Sequence, residues 1–231
     1  MIPLGYYIVR KSGKKPRPAW VAPDYLTVAG CLCEGVIPGL ESAPFDGEEI
    51  AREWDLSPHD AWRLYDFGRE HCMRINYELF HIFLDYDTPA RICREFFKGR
   101  DDVLIVGLCS NDTHFLESPG ISEVAPLPEH AALLGWDLYE FGDYAKEGEP
   151  LPPLDYHRHG TSSVLGLGCT FVCCDTDGTL AKRLGVQLNS WGMYPAAASA
   201  TKAAEIVNAE RLGEPCHYLP FALFECRGKG C

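Results

Sequence analysis

Asp102-Val103-Leu104-Ile105-Val106-Gly107-Leu108 decides the fold class. After Asp102 the run is apolar without a break, so the alternation of a half-covered strand is missing and both faces must be buried. That predicts a strand at the centre of a sheet. Three further strands are expected. Gly5 to Arg10 is aromatic and β-branched and stops at Lys11-Ser12-Gly13. Leu134 to Phe141 alternates with period two and reads as half-buried. His217 to Glu225 closes the chain, and Pro220, which lacks an N–H, puts it at a sheet edge or a bulge. Tyr25 to Val36 is apolar and reads as a strand or an irregular core segment.

Helix signals lie between these strands. Asp46 opens a short helix to about Trp54. Ser57-Pro58-His59-Asp60 combines a capping serine, a proline in the first turn and an acid near the positive end of the dipole. Thr88-Pro89-Ala90 starts a helix through Phe97 that Gly99 closes, and a short helix is expected near Leu180–Leu184. Pro195 leads into an alanine-rich helix to about Arg211, with Gly213 as its stop. Gly142 to Thr161 is a long loop rich in proline and glycine, of the kind that carries function or moves. Strands and helices mix without a βαβα rhythm. The expected fold is therefore α+β, one domain over residues 1–231 with a mostly antiparallel sheet.

Composition narrows the function classes. Lys plus Arg total 21 against 33 Asp plus Glu, a net charge of −12 over 231 residues. An acidic surface repels phosphate backbones, so nucleic acid is not expected as a partner. The one basic cluster, Lys14-Lys15-Pro16-Arg17-Pro18, reads as an exposed loop. The rhythm of Glu48 to Trp62 imitates a helix-turn-helix, but Asp60, Trp62 and Asp66 stand where a recognition helix needs basic or amide side chains. No apolar stretch approaches the length of a membrane span. The eleven cysteines cannot all pair internally. Met1 to Tyr7 has neither a basic nor a long apolar segment of the secretory kind, so the thiols are expected to be reduced, the chain cytoplasmic, and several cysteines small buried hydrophobes.

Three constellations carry candidate chemistry. Cys109 ends the central strand, with Asp112 and His114 just beyond it. A thiol paired with an imidazole is an activated nucleophile, and Cys109 and His114 are the candidate catalytic pair of a hydrolase. His157 and His159, with Cys169, Cys173 and Cys174, are the ligand types that zinc prefers. Their spacing is not that of a zinc knuckle, and Cys169 to Cys174 overlap an apolar run, so burial is the expected role and no cofactor is expected. Asp175-Thr176-Asp177-Gly178-Thr179 begins like a calcium loop, but Val186 stands where the twelfth-position glutamate belongs; a turn capping the next helix is expected.

The C-terminal third has a recognisable order: Leu134-Gly135-Trp136-Asp137-Leu138, a loop, a short helix, Leu188-Asn189-Ser190-Trp191-Gly192-Met193-Tyr194, an alanine-rich helix, Gly213-Glu214-Pro215 and an aromatic strand. Over about ninety residues this resembles small uncharacterised bacterial cytosolic proteins of the toxin-immunity type. The resemblance implies a binding role and carries no catalytic residue. Combined with the negative charge, the expected partner is a basic protein. Interfaces favour large aromatic anchors, which makes Tyr139, Tyr144, Tyr156 and Trp191 the candidate contact residues.

Overall fold

A computed structural model describes residues 1–10, 51, 55–72, 83–118, 120–157, 167–170 and 179–226. The expected segments at Lys14–Pro18, Tyr25–Val36, Cys173–Gly178 and His159, and most of the short helix after Asp46, lie outside the described residues. The fold is α+β. Its strands are β1 (Ile2–Arg10), β2 (Val103–Ser110), β3 (Ala132–Phe141), β4 (Leu167–Thr170) and β5 (His217–Glu225). They form an antiparallel sheet in the order β1-β2-β5-β3-β4. The helices are α1 (Pro58–Cys72), α2 (Asp87–Phe96), α3 (Thr179–Arg183) and α4 (Ala197–Glu210).

Every residue of β2 is buried, as its unbroken apolar run requires. Its alternate side chains serve two different cores. Ile105 and Cys109 face the helices together with Tyr6, Ile8, Trp136 and Phe224. Leu104, Val106 and Leu108 face a second layer with Leu4, Tyr7, Tyr139 and Phe221. On the helix side, α4 presents Ala200, Ala203, Ala204 and Val207, spaced i, i+3, i+4, i+7, so that small side chains bring the helix close to the sheet. Helix α2 starts where Asp85 accepts the Thr88 N–H at 2.7 Å and buries Ala90, Ile92 and Cys93. Helix α1 is capped by Ser57, whose hydroxyl accepts the Asp60 N–H at 3.0 Å. It packs on α2 through Phe67 and Phe96, with the Arg91 guanidinium over the Phe67 ring.

No α-helix among the described residues lies in the second core. It is covered by connecting segments: Phe115 and Ile121 from the stretch after β2, Leu154 and Tyr156 from the long loop, and Trp191 and Met193 from the turn before α4. The Phe115 ring meets Phe141 and Tyr156 edge-on, at centroid distances of 5.2 and 5.0 Å.

Three expectations need correction. Strand β3 is buried on both faces from Leu134 to Phe141, not half-buried. Its apparent polar face is Asp137 and Glu140, and both are inside. Strand β5 is not at an edge; it lies between β2 and β3. Pro220 is tolerated there because the β2 ladder ends at the Cys109–Ala222 pair, leaving the proline partnered on the β3 side alone, opposite Leu138. Helix α4 stops before Gly213: Arg211 itself takes the left-handed conformation (φ 53°) and its N–H bonds back to Val207. Gly213 serves packing instead, since a Cβ there would sit 2.5 Å from the Tyr218 hydroxyl.

The free side of β3 is closed by the Asn189 turn. Trp136 and Tyr194 exchange backbone hydrogen bonds of 2.9 and 2.8 Å. The Asn189 amide donates to the Leu134 carbonyl at 2.6 Å, and its oxygen accepts the N–H groups of Trp191 and Met193. Gly135 makes this approach possible, because a Cβ there would lie 2.6 Å from Met193 Cβ and 2.8 Å from the Asn189 amide nitrogen. Asn189→Ala leaves a partly buried carbonyl and two N–H groups without their partner and is expected to destabilise the protein by about 2–4 kcal/mol. Gly135→Ala overpacks the same contact and is expected to cost about 1–3 kcal/mol. Urea unfolding of both variants checks the two values.

Candidate functional site

Two surface arrangements stand out, one at each end of the long loop. The first lies just past β2. Asp112 caps the short 3-10 turn Thr113–Glu117 by accepting the His114 N–H, and the same carboxylate oxygen accepts the His114 Nδ1–H at 2.7 Å. The other oxygen accepts the Tyr156 hydroxyl at 2.5 Å. The Tyr156 ring stacks on the imidazole with centroids 5.3 Å apart. Burial acts to raise the Asp112 carboxyl, but the hydrogen bonds from Tyr156 and His114 and the nearby imidazole hold it below its ordinary value. The imidazole is therefore oriented, with Nε2 turned away from the carboxylate, and the ring is largely exposed. Close by, His157 Nε2 stands 3.8 Å from the Glu117 carboxylate.

The second arrangement joins β3, β5 and the start of the long loop. Glu140 is buried, and its carboxylate accepts two tyrosine hydroxyls, from Tyr144 at 2.6 Å and from Tyr218 at 2.9 Å. Tyr218 in turn accepts the Glu214 N–H at 3.1 Å. The Ala145 N–H bonds to the Pro215 carbonyl at 2.7 Å, which holds the loop against the turn that precedes β5. Tyr144 is thus fixed by its hydroxyl while its ring stays 55% exposed.

The structure distributes the candidate residues unevenly. Of the four aromatic contact candidates, Tyr144 alone is exposed. Tyr139 is fully buried, its hydroxyl 3.4 Å from that of Tyr7. Tyr156 and Trp191 are half-buried against the second core. Cys109 and His114 are not brought together as a catalytic pair: the Cys109 side chain belongs to the helix-side core, whereas His114 is held outside by Asp112. Burial, reinforced by Cys226, pushes the Cys109 thiol up to about 12, the reverse of what a nucleophile needs. Among the described residues no group of three metal-ligating side chains gathers; His157 is exposed, Cys169 lies on β4, and His159 and Cys173 lie outside the described residues. Sequence reasoning missed Glu140 and Tyr218, which no spacing links because their meeting depends on β3 lying beside β5.

Compared with family models, with curated proteins and with solved structures, the chain matches none. No helix among the described residues is long and apolar enough to cross a membrane.

Two outcomes follow from this geometry. Cys93, Cys109, Cys216 and Cys226 are buried, so native-state alkylation read by mass spectrometry is expected to be at least about a hundredfold slower at these sulfurs than in the unfolded chain. The depressed Asp112 carboxyl contributes stability that is fully present above its unfolded value of about 4 and disappears as pH falls through its lower folded value. The stability difference between wild type and Asp112→Asn is therefore expected to be level above about pH 5 and to shrink below about pH 4, as read from urea unfolding at each pH.

Proposed function

We propose that the chain is a protein-binding module that engages a basic protein through the acidic, tyrosine-bearing surface around Tyr144. The observation that carries this is the state of Tyr144, an exposed ring whose hydroxyl is anchored on buried Glu140. A side chain ordered before binding loses less entropy on association, and tyrosine is a frequent interface anchor. Glu147, Glu149 and Glu214 are exposed on the same loop and the turn bonded to it, and none forms an ion pair among the described residues. The net charge of −12 steers a cationic partner toward such a surface. Cys109 and Cys226 sit as reduced thiols in the helix-side core, which supports a reducing compartment, the cytoplasm. With the resemblance of the C-terminal third to toxin-immunity proteins, the biological role that follows is an antagonist of a basic protein in bacterial defence.

One observation favours a second function, a hydrolase: the oriented Asp112–His114 pair has the geometry of a general base. It would act on a nucleophile other than Cys109.

The test uses the full chain as bait in its native host and then measures the captured partner with purified protein. A basic partner is expected, with affinity falling at least about tenfold for Tyr144→Ala and for the Glu147→Lys, Glu149→Lys double variant. The double variant is exposed and is expected to change stability by less than about 0.5 kcal/mol, which separates lost binding from lost folding. A partner that binds the charge-reversed protein as tightly as wild type would refute the proposal.

A further inference from the structure

Asp137 sits in the middle of β3 between Trp136 and Leu138, which face the helices, and by alternation shares the face of Tyr139, which belongs to the second core. It is 1% exposed. One oxygen accepts the Leu138 N–H at 2.8 Å; the other, Oδ2, is fully buried and has no hydrogen-bond partner among the described residues. A buried polar atom left unpaired is costly, and far more so if it carries charge. The groups facing Asp137 do not offset that cost. From β1 comes the hydroxyl of Tyr7 and from β3 that of Tyr139, and these two lie 3.4 Å from each other. Strand β2 presents Leu104, Val106 and Leu108, and β5 presents Phe221 and Leu223, with Glu225 toward its far end. The cover contributes Tyr156, whose hydroxyl is committed to Asp112, with His114 outside it. No cationic side chain of the described residues acts on Asp137.

What lies over this carboxyl matters. The helix side of the sheet is shut by four helices, whereas the described cover of the second face is made of the Thr113–Glu123 stretch, the Leu154–Tyr156 end of the long loop and the Trp191–Met193 turn. Such segments open at lower cost than a docked helix. We propose that this loop layer is a proton-gated cover: it stays shut while Asp137 carries a proton and loosens when that proton leaves to solvent.

The direction follows from linkage. Shut, burial pushes the Asp137 carboxyl up to about 8. Hydrated in the open form, it ionises near about 4. Between those values opening releases a proton, so opening becomes easier as pH rises from about 4 to about 8 and levels off on either side. Tyr7 stays neutral across that range, because burial raises its hydroxyl.

Hydrogen exchange read by mass spectrometry on the full chain tests the gate. After correction for the intrinsic rate, protection of peptides covering 113–123, 150–157 and 189–194 is expected to fall at least about tenfold between pH 6 and pH 9. Peptides from α4 are expected to keep theirs, and Asp137→Asn is expected to remove the pH dependence. A smaller fall in wild type, a fall shared equally by α4, or an unchanged pH dependence in Asp137→Asn overturns the gate. If that variant does not fold, infrared spectra of wild type labelled at aspartate decide. A protonated carboxyl band that persists at pH 7 and disappears as the cover loosens upholds the gate; its loss below about pH 6 with the cover still protected overturns it.

Discussion

The structure depends on burying both faces of a strand that carries two carboxyl groups. Strand β3 is covered from Leu134 to Phe141, yet it holds Asp137 on one side and Glu140 on the other. Desolvating a carboxyl group is unfavourable unless hydrogen bonds replace water, and the two positions meet that demand differently. Glu140 receives two tyrosine hydroxyls, and this determines where the turn before β5 and the start of the long loop must sit. Asp137 receives a single backbone N–H and, among the described residues, keeps one oxygen without a partner.

The same constraint shapes the edge of the sheet. Among the described residues β4 pairs with β3 at Tyr139 and Phe141 alone, so the rest of that side of β3 takes other partners. The Asn189 turn supplies them, with backbone bonds at Trp136 and a side-chain bond at the Leu134 carbonyl. An edge closed this way offers no free ladder to another chain along that stretch. Its geometry requires Gly135, which is why Leu-Gly-Trp in β3 and Asn-Ser-Trp-Gly-Met before α4 belong to one structural unit although more than fifty residues separate them.

The two faces of the sheet consequently have different characters. The helix side mixes aromatic, aliphatic, alanine and cysteine side chains, and thiols such as Cys109 and Cys226 act there as compact apolar filler. The loop side is rich in aromatics and contains the unpaired carboxyl oxygen, under segments that also present His114, Glu117 and His157 to solvent. Polar groups held at some cost beneath a cover without α-helices are where a fold has room to respond to its surroundings.

Local chemistry was enough to read much of the fold. The unbroken run in β2 announced burial on both faces because no polar residue interrupts it. Ser57, Pro58 and Asp60 marked the start of α1, and the alanines of α4 marked a helix that packs closely, because caps and propensities act within a few residues. What alternation could not reveal was the fate of Asp137 and Glu140, since a buried carboxyl and a solvated one look the same in a period-two pattern. The same limit applied to the candidate site: Tyr144 could be named from its residue type, but not the buried acid that fixes it. The proximity of Cys109 and His114 in sequence concealed that a strand sends its last side chain to one face while the following turn carries the imidazole outside. Position along the chain decides which elements form. Which polar groups end up dry, and beside what, is decided only when strands distant in sequence pair across the sheet, because desolvation depends on neighbours in space.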